Sequence, residues 1–498
     1  MLVSLTLEHP HEHYTNLDLI QGKVFLRVSA PTNLSSIIVK LEGESRTRLL
    51  APIHPNRPDK QRPVLEVHKF LYKTQVLWPT NMRPEDLLSS NSKASFVMGA
   101  GTFEYPFQFK VPLNTVCQQS NNPISHVSFS NAIPEFARTA LHHVKATLPP
   151  SLTGFPGEAE IRYFVKVTVN RPSFFKENPR SIANFTFLPI EPPRPEKSDG
   201  EAYARRQHQF LETAPSVAGG KKSGLFDGKS PAPCAPTTPI PTANSLGPRV
   251  AIDARLPNPA ILTSNHDVPL RLLIRNASKR SKNIYLQMLQ IELIGYTKVR
   301  AHEVARTEST SWILCSFSNM AIPIGSPNDP VDTEVPVNPE YWSGKPIPNT
   351  VPPTFITCNL SRFYELEVRV GIGYGSYEHG SDQLIVLPLR LPVKMYSGIA
   401  PPKALLEAGI AAETSHHQPP PHIGTPAQVA QQQHSPTMPA HMAPIHGVGA
   451  GAPAYDDAPP SYEDAIGQDL PPINGYRGSY QPPPAEEGAP QFWDEKRR

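Results

Sequence analysis

The 498-residue chain sets 47 Lys and Arg against 44 Asp and Glu, a formal net charge of +3, and 60 of its residues are proline. With no Lys/Arg block longer than three residues, it lacks the electrostatic footprint of a nucleic-acid-binding protein. Prolines crowd into 191–248 and 399–492, where large aliphatic residues thin out. Such stretches bury too little apolar surface to offset chain entropy, which leaves about 340 residues for packed structure.

In chain order, Met1-Leu2-Val3-Ser4-Leu5-Thr6-Leu7-Glu8 alternates apolar with polar residues and has neither the basic start nor the apolar core of a signal peptide. It reads as a first strand of a cytosolic chain. Phe103, Tyr105, Phe107, Phe109 and Val111 alternate with Glu104, Pro106, Gln108, Lys110 and Pro112, the period-2 pattern of a strand with one buried face. Ile161, Tyr163, Val165, Val167 and Val169 repeat it. Further strands are predicted over 23–28, 37–41, 64–78 and 184–189, with turns over 51–62 and 89–101 and a short helix over 134–144. Residues 1–190 are therefore predicted to form an antiparallel β-sandwich.

The pattern stops over 191–248, which reads as a proline-rich linker opening on Glu191-Pro192-Pro193-Arg194-Pro195. Strands resume over 249–398, and this block echoes the first. Ile37 to Gly43 lines up with Leu289 to Gly295, apolar residues in phase and glycine in the same place, while Tyr163, Val165, Val167 and Val169 parallel Tyr364, Leu366, Val368 and Val370. Two matches in the same order predict a duplicated sandwich. The fold class is all-β: two tandem sandwiches, a flexible linker, and a disordered tail over 399–498.

That tail carries Pro459-Pro460-Ser461-Tyr462, a Pro-Pro-x-Tyr strip. Successive prolines hold a polyproline II ridge with little ordering entropy left to lose, and Tyr462 adds a flat ring tipped by a hydroxyl. WW domains take such strips in an aromatic-lined groove, so Pro459, Pro460 and Tyr462 are the candidate binding residues. With 60 Pro and 16 Tyr the motif arises by chance about 0.2 times in a chain so composed, so its context must carry the reading. Ala452-Pro453-Ala454-Tyr455 lacks the first proline of a second copy.

Catalytic and metal-binding patterns do not emerge from local spacing. Cys117, Cys234, Cys315 and Cys358 have neither paired nor ligand-like spacing and read as inert thiols in a reducing compartment. His9, His11 and His13 share a strand face but have no Cys or carboxylate partner at ligand spacing, so they read as a polar edge. Neither a nucleophile elbow nor a phosphate loop is present, and no apolar run reaches the length of a membrane span. No enzyme, cofactor or metal is expected.

Several stretches together resemble the arrestin superfamily, specifically the fungal arrestin-related (α-arrestin) proteins. They are Leu17 to Val24 followed by Val39 to Gly43, Gly101 to Phe109, Ile161 to Val165, and Pro353 to Thr357 leading into Tyr364 to Val368. The resemblance covers roughly 1–190 and 249–398 and gains specificity from the order of the stretches and the Pro-Pro-x-Tyr tail. It implies an adaptor that links a WW-containing HECT-type ubiquitin ligase to plasma-membrane transporters or receptors, promoting their ubiquitination and endocytosis. Such a protein is cytoplasmic and joins plasma membrane or endosomes peripherally, through its cargo. A trafficking or signalling scaffold without ligase recruitment, retromer-like or ambient-pH-sensing, is the alternative. Members often carry two or more Pro-Pro-x-Tyr copies, whereas this tail has one, which limits avidity for a ligase with tandem WW domains.

Overall fold

The structure, a computed structural model, describes residues 1–8, 12–54, 57–80, 95–115, 117, 144, 146–155, 157–172, 177–212, 245–280, 282–375, 381–407, 467, 469–473 and 477–482. Ten strands build the N-terminal unit: β1 (Leu2–Leu7), β2 (Leu19–Val28), β3 (Thr32–Leu34), β4 (Ser36–His54), β5 (Arg57–Trp78), β6 (Phe96–Met98), β7 (Gly101–Lys110), β8 (Leu152–Phe155), β9 (Ala159–Asn170) and β10 (Arg180–Phe185). A β1-β2-β7 sheet lies over a β10-β9-β4-β5 sheet to which β8 adds, and β3 pairs β6. Alternation makes the packing. Val24 and Leu26 of β2 and Phe107 and Phe109 of β7 point inward, as predicted, onto Val39, Leu41, Val165 and Val167 in one core.

A second set forms the other unit: β11 (Glu201–Glu212), β12 (Ser245–Pro257), β13 (Ile261–Thr263), β14 (Arg271–Asn276), β15 (Asn283–Ala301), β16 (Val304–Pro323), β17 (Glu334–Pro336), β18 (Phe355–Ile356), β19 (Leu360–Gly375) and β20 (Ser381–Tyr396). Its sheets are β11-β12-β14-β17 and β13-β20-β19-β15-β16, with β18 beside β19. Ile252 and Ile274 of the first meet Leu289, Ile291, Leu366 and Val368 of the second.

The internal echo has a physical cause. Gly43 on β4 lies opposite Tyr163 on β9, and Gly295 on β15 lies opposite Tyr364 on β19. A Cβ on Gly43 would stand 3.0 Å from the Tyr163 ring, and one on Gly295 2.8 Å from the Tyr364 ring. In both units the ring therefore lies where a side chain would be. Each phenol then donates to a proline carbonyl, Tyr163 to Pro149 and Tyr364 to Pro352, both at 2.5 Å.

Three expectations are corrected. Residues 51–62, read as a turn from their prolines, belong to the β4–β5 hairpin, paired as far as His54 with Arg57. Because β9 covers β4 only up to Thr47, the hairpin end is a two-stranded ribbon with free edges, where proline leaves no ladder partner unmet. The span 191–248 is not linker throughout: β11 pairs β12 along most of its length, leaving 213–244 outside the described residues. Among its described side chains this edge strand buries fully only Phe210, and it is held by ion pairs, Arg205 to Asp253 at 2.6 Å and Arg271 to Glu201 at 2.5 Å, so it lacks apolar periodicity. The span 399–498 also contributes structure: Ile399 is buried, 403–407 make a helical turn, and parts of 467–482 pack against the sandwiches. The predicted helix over 134–144 lies outside the described residues except for Val144.

Candidate functional site

The two sandwiches meet along a seam with an apolar and a polar half. Val299, Ala301, Phe355 and Leu360 of the second unit complete the core of the first. Beside them, buried polar groups satisfy one another across the boundary. The Ser45 hydroxyl donates to Asn359 Oδ1, Asn359 Nδ2 donates to Thr47 Oγ1 at 3.1 Å, and Thr47 Oγ1 donates to the Arg300 carbonyl at 2.5 Å. Arg300 reaches Glu66 Oε1 at 3.0 Å and the Cys358 carbonyl at 2.6 Å, while the His302 amide donates to Glu66 Oε2. Burial opposes the charge on Glu66, yet hydrogen bonds from His68 and the His302 amide, helped by Arg300, hold its carboxyl below the usual range.

A segment of the tail crosses this seam. Gly467 packs on Leu113 and Leu17, and Leu470 and Ile473 extend a small apolar cluster of Leu17, Leu113, Leu188, Ile190, Ile399 and Tyr480. Arg477 then clasps Asp18 with two parallel bonds of 2.7 Å, the bidentate geometry that makes arginine–carboxylate pairs strong. Tyr480 is 3% exposed and donates to the Ser151 carbonyl at 2.6 Å. Burial, with the Tyr364 phenol nearby, pushes its ionisation up, and burial together with Tyr480 does the same to Tyr163. The Ser151 carbonyl that receives the tail tyrosine lies two residues from Pro149, the acceptor for Tyr163. Asn265 and Asn349 of the second unit hold Ser479 through its carbonyl at 3.1 Å and its hydroxyl at 3.0 Å, and the Gln481 amide donates to the Asn349 carbonyl at 3.3 Å.

Residues 3–129 match the family described as Arrestin (or S-antigen), N-terminal domain. The N-terminal part of the chain is arrestin-like. Two curated fungal proteins are similar to it. Arrestin-related trafficking adapter 10 of Eremothecium gossypii is 26% identical over 216 residues, covering 38% of this chain and 46% of that protein. Its namesake in Lachancea thermotolerans is 27% identical over 123 residues, covering 24% and 29%. The chain spans less than half the length of either relative.

The sequence-predicted binding residues, Pro459, Pro460 and Tyr462, lie outside the described residues, as do Tyr455, His9, His11 and Cys234. His13 is described and buried. The cysteines need correction. Cys315 is buried in the second core, as an inert thiol would be, but Cys117 and Cys358, 241 positions apart, approach to 3.6 Å between sulfurs beside His68. Burial disfavours a charged imidazole, yet hydrogen bonds to Cys358 and Glu66 push His68 up to about 9. A hydrogen bond from Cys117, against the cost of burial, takes Cys358 down to about 3, and Cys117 moves up. No local spacing registers three residues drawn from β5, from the stretch beyond β7 and from the turn before β19. Among the described residues no helix is long and apolar enough to cross a membrane.

Proposed function

We propose that this arrestin-related chain is a trafficking adaptor whose sandwiches hold membrane-protein cargo while Pro459, Pro460 and Tyr462 recruit a WW-domain HECT-type ubiquitin ligase. It acts by binding rather than catalysis, and it reaches plasma membrane or endosomes peripherally, from the cytoplasm, through its cargo. The names of the two fungal relatives support the adaptor role.

The observation that carries the reading is the position of the strip. Tyr462 precedes Gly467 by five positions, and Gly467 is seated on Leu113 and Leu17 of the first sandwich. Five residues span at most about 18 Å, so a ligase on the strip stays beside whatever the sandwiches hold. Proximity then supplies what a short strip lacks in affinity: a Kd of roughly micromolar corresponds to about 8 kcal/mol, and effective concentration does the rest.

The test is Tyr462→Ala in the full chain. Capture of WW domains and ligase-dependent ubiquitination of cargo are expected to vanish while the thermal melt stays unchanged. Wild-type rates of cargo downregulation by this variant would remove the tail from the mechanism and favour a scaffold that works without ligase.

A further inference from the structure

The seam brings together three soft or borderline donors that the adaptor reading does not use. Cys117 Sγ lies 3.6 Å from Cys358 Sγ and 3.5 Å from His68 Nδ1, and all three donor atoms fall within 4.8 Å of one another. Zinc bonds thiolate at about 2.3 Å and imidazole at about 2.0–2.1 Å, so the edges of its tetrahedron are about 3.8 Å between sulfurs and about 3.5 Å from sulfur to nitrogen. Both measured distances are close to those edges.

The surroundings are those of a built site. His68 Nε2 is held at 2.6 Å by Glu66 Oε1, which leaves Nδ1 turned toward the sulfurs. That carboxylate–imidazole arrangement is how proteins fix the ring and tautomer of a metal-binding histidine. Glu66 is itself buried and anchored by Arg300 and the His302 amide. On the other side the Val144 amide donates to Cys358 Sγ at 3.4 Å, and Arg300 holds the Cys358 carbonyl at 2.6 Å. Both cysteines are half-buried, so an ion has a way in. Two thiols and one imidazole favour zinc over the oxygen-seeking calcium and magnesium.

We propose that His68, Cys117 and Cys358 form a zinc site that joins the two sandwiches. His68 and Cys117 come from the first unit and Cys358 from the second, so one ion crosslinks the seam. Binding forms two Zn–S bonds and one Zn–N bond, releases the protons the thiols carry, and leaves one tetrahedral position for water. The inference is independent of the tail and of ligase recruitment.

The experiment uses the full chain, reduced and stripped with chelator, titrated with Co²⁺ as an optical probe and then with Zn²⁺. The expected result is one Co²⁺ per chain with a thiolate-to-cobalt charge-transfer band, bleached by stoichiometric Zn²⁺. Cys117→Ser and Cys358→Ser should each weaken the band and lower affinity at least about tenfold, whereas Cys315→Ser should leave both unchanged. Glu66→Gln should keep the spectrum and lower affinity about 10- to 100-fold, as loss of a ligand's supporting partner does. Since the serine variants disturb a buried seam, the wild-type titration decides alone: no charge-transfer band at saturating Co²⁺ overturns the site. So does oxidation to a Cys117–Cys358 disulfide that proceeds equally fast with and without stoichiometric Zn²⁺.

Discussion

Replacing Arg477 by alanine tests whether the tail segment is docked by the contacts described. Asp18 is 3% exposed at its side chain and Arg477 17%. Apart from the two 2.7 Å bonds to Arg477, Asp18 accepts a bond of 2.8 Å from the Thr15 amide. Truncating one partner of a buried pair leaves the other charge uncompensated, at a cost of about 3–5 kcal/mol. The partial exposure of Arg477 and the surviving amide bond place this case at the lower end, about 3 kcal/mol, or about 100-fold in the docking equilibrium. Arg477→Lys should recover only part of this, because a point charge cannot make two parallel bonds. The reporter is the Gln481 amide, which donates to the Asn349 carbonyl on the second sandwich. Hydrogen exchange at Gln481 should accelerate by up to about 100-fold in Arg477→Ala, while amides in β4 and β15 keep their protection. A cycle with Asp18→Asn should show coupling rather than additivity. Unchanged exchange at Gln481, or strictly additive effects, would mean that this ion pair does not hold the segment.

Phe107→Asp should abolish or severely lower the cooperative melt, because an unpaired charge in a 4%-exposed site costs several kcal/mol out of a total stability of about 5–15. Gln108→Asp on the exposed face should shift stability by about 0.5 kcal/mol, and equal melting temperatures would refute the strand orientation. Gly43→Ala and Gly295→Ala should each cost about 1–3 kcal/mol by forcing a methyl against Tyr163 or Tyr364. Gly99→Ala, with nothing within 4 Å of the new carbon, should be near neutral; thermal melts that do not separate the three would contradict the shared packing. Asn359→Leu should destabilise by about 2–3 kcal/mol, since it leaves Ser45 and Thr47 without their buried partner. Interdomain proteolysis should then speed up before either sandwich unfolds.

What was legible follows from where each residue places its free energy. Strands β2, β7 and β9 bury one face of a sheet, so their alternation is local and readable, and the glycine–tyrosine pairs repeat because the same ring packs on the same strand twice. Strand β11 is not legible because it is held by Asp253 and the β12 backbone and buries one phenylalanine of its own, Phe210, which leaves no period in composition. The zinc-type cluster was lost because its members are brought together only when the two sandwiches meet. The tail segment was lost for a subtler reason. Composition counts the apolar surface a stretch can bury within itself, whereas 467–482 adds Leu470, Ile473 and Tyr480 to a surface already built by Leu17, Leu113, Leu188 and Ile190.

The carbonyl of Ser151 that receives Tyr480 lies two residues after Pro149, the acceptor for Tyr163, and the carbonyl of Asn349 that receives Gln481 lies three residues before Pro352, the acceptor for Tyr364. The tail therefore engages the corresponding loop of both copies of the repeat at once. It keeps both sets of contacts only while the sandwiches hold their mutual position, which the Asn359, Arg300 and Glu66 network also requires. Two interactions that depend on one arrangement are thermodynamically linked: the free energy by which the joined seam favours tail docking equals the free energy by which tail docking favours the joined seam.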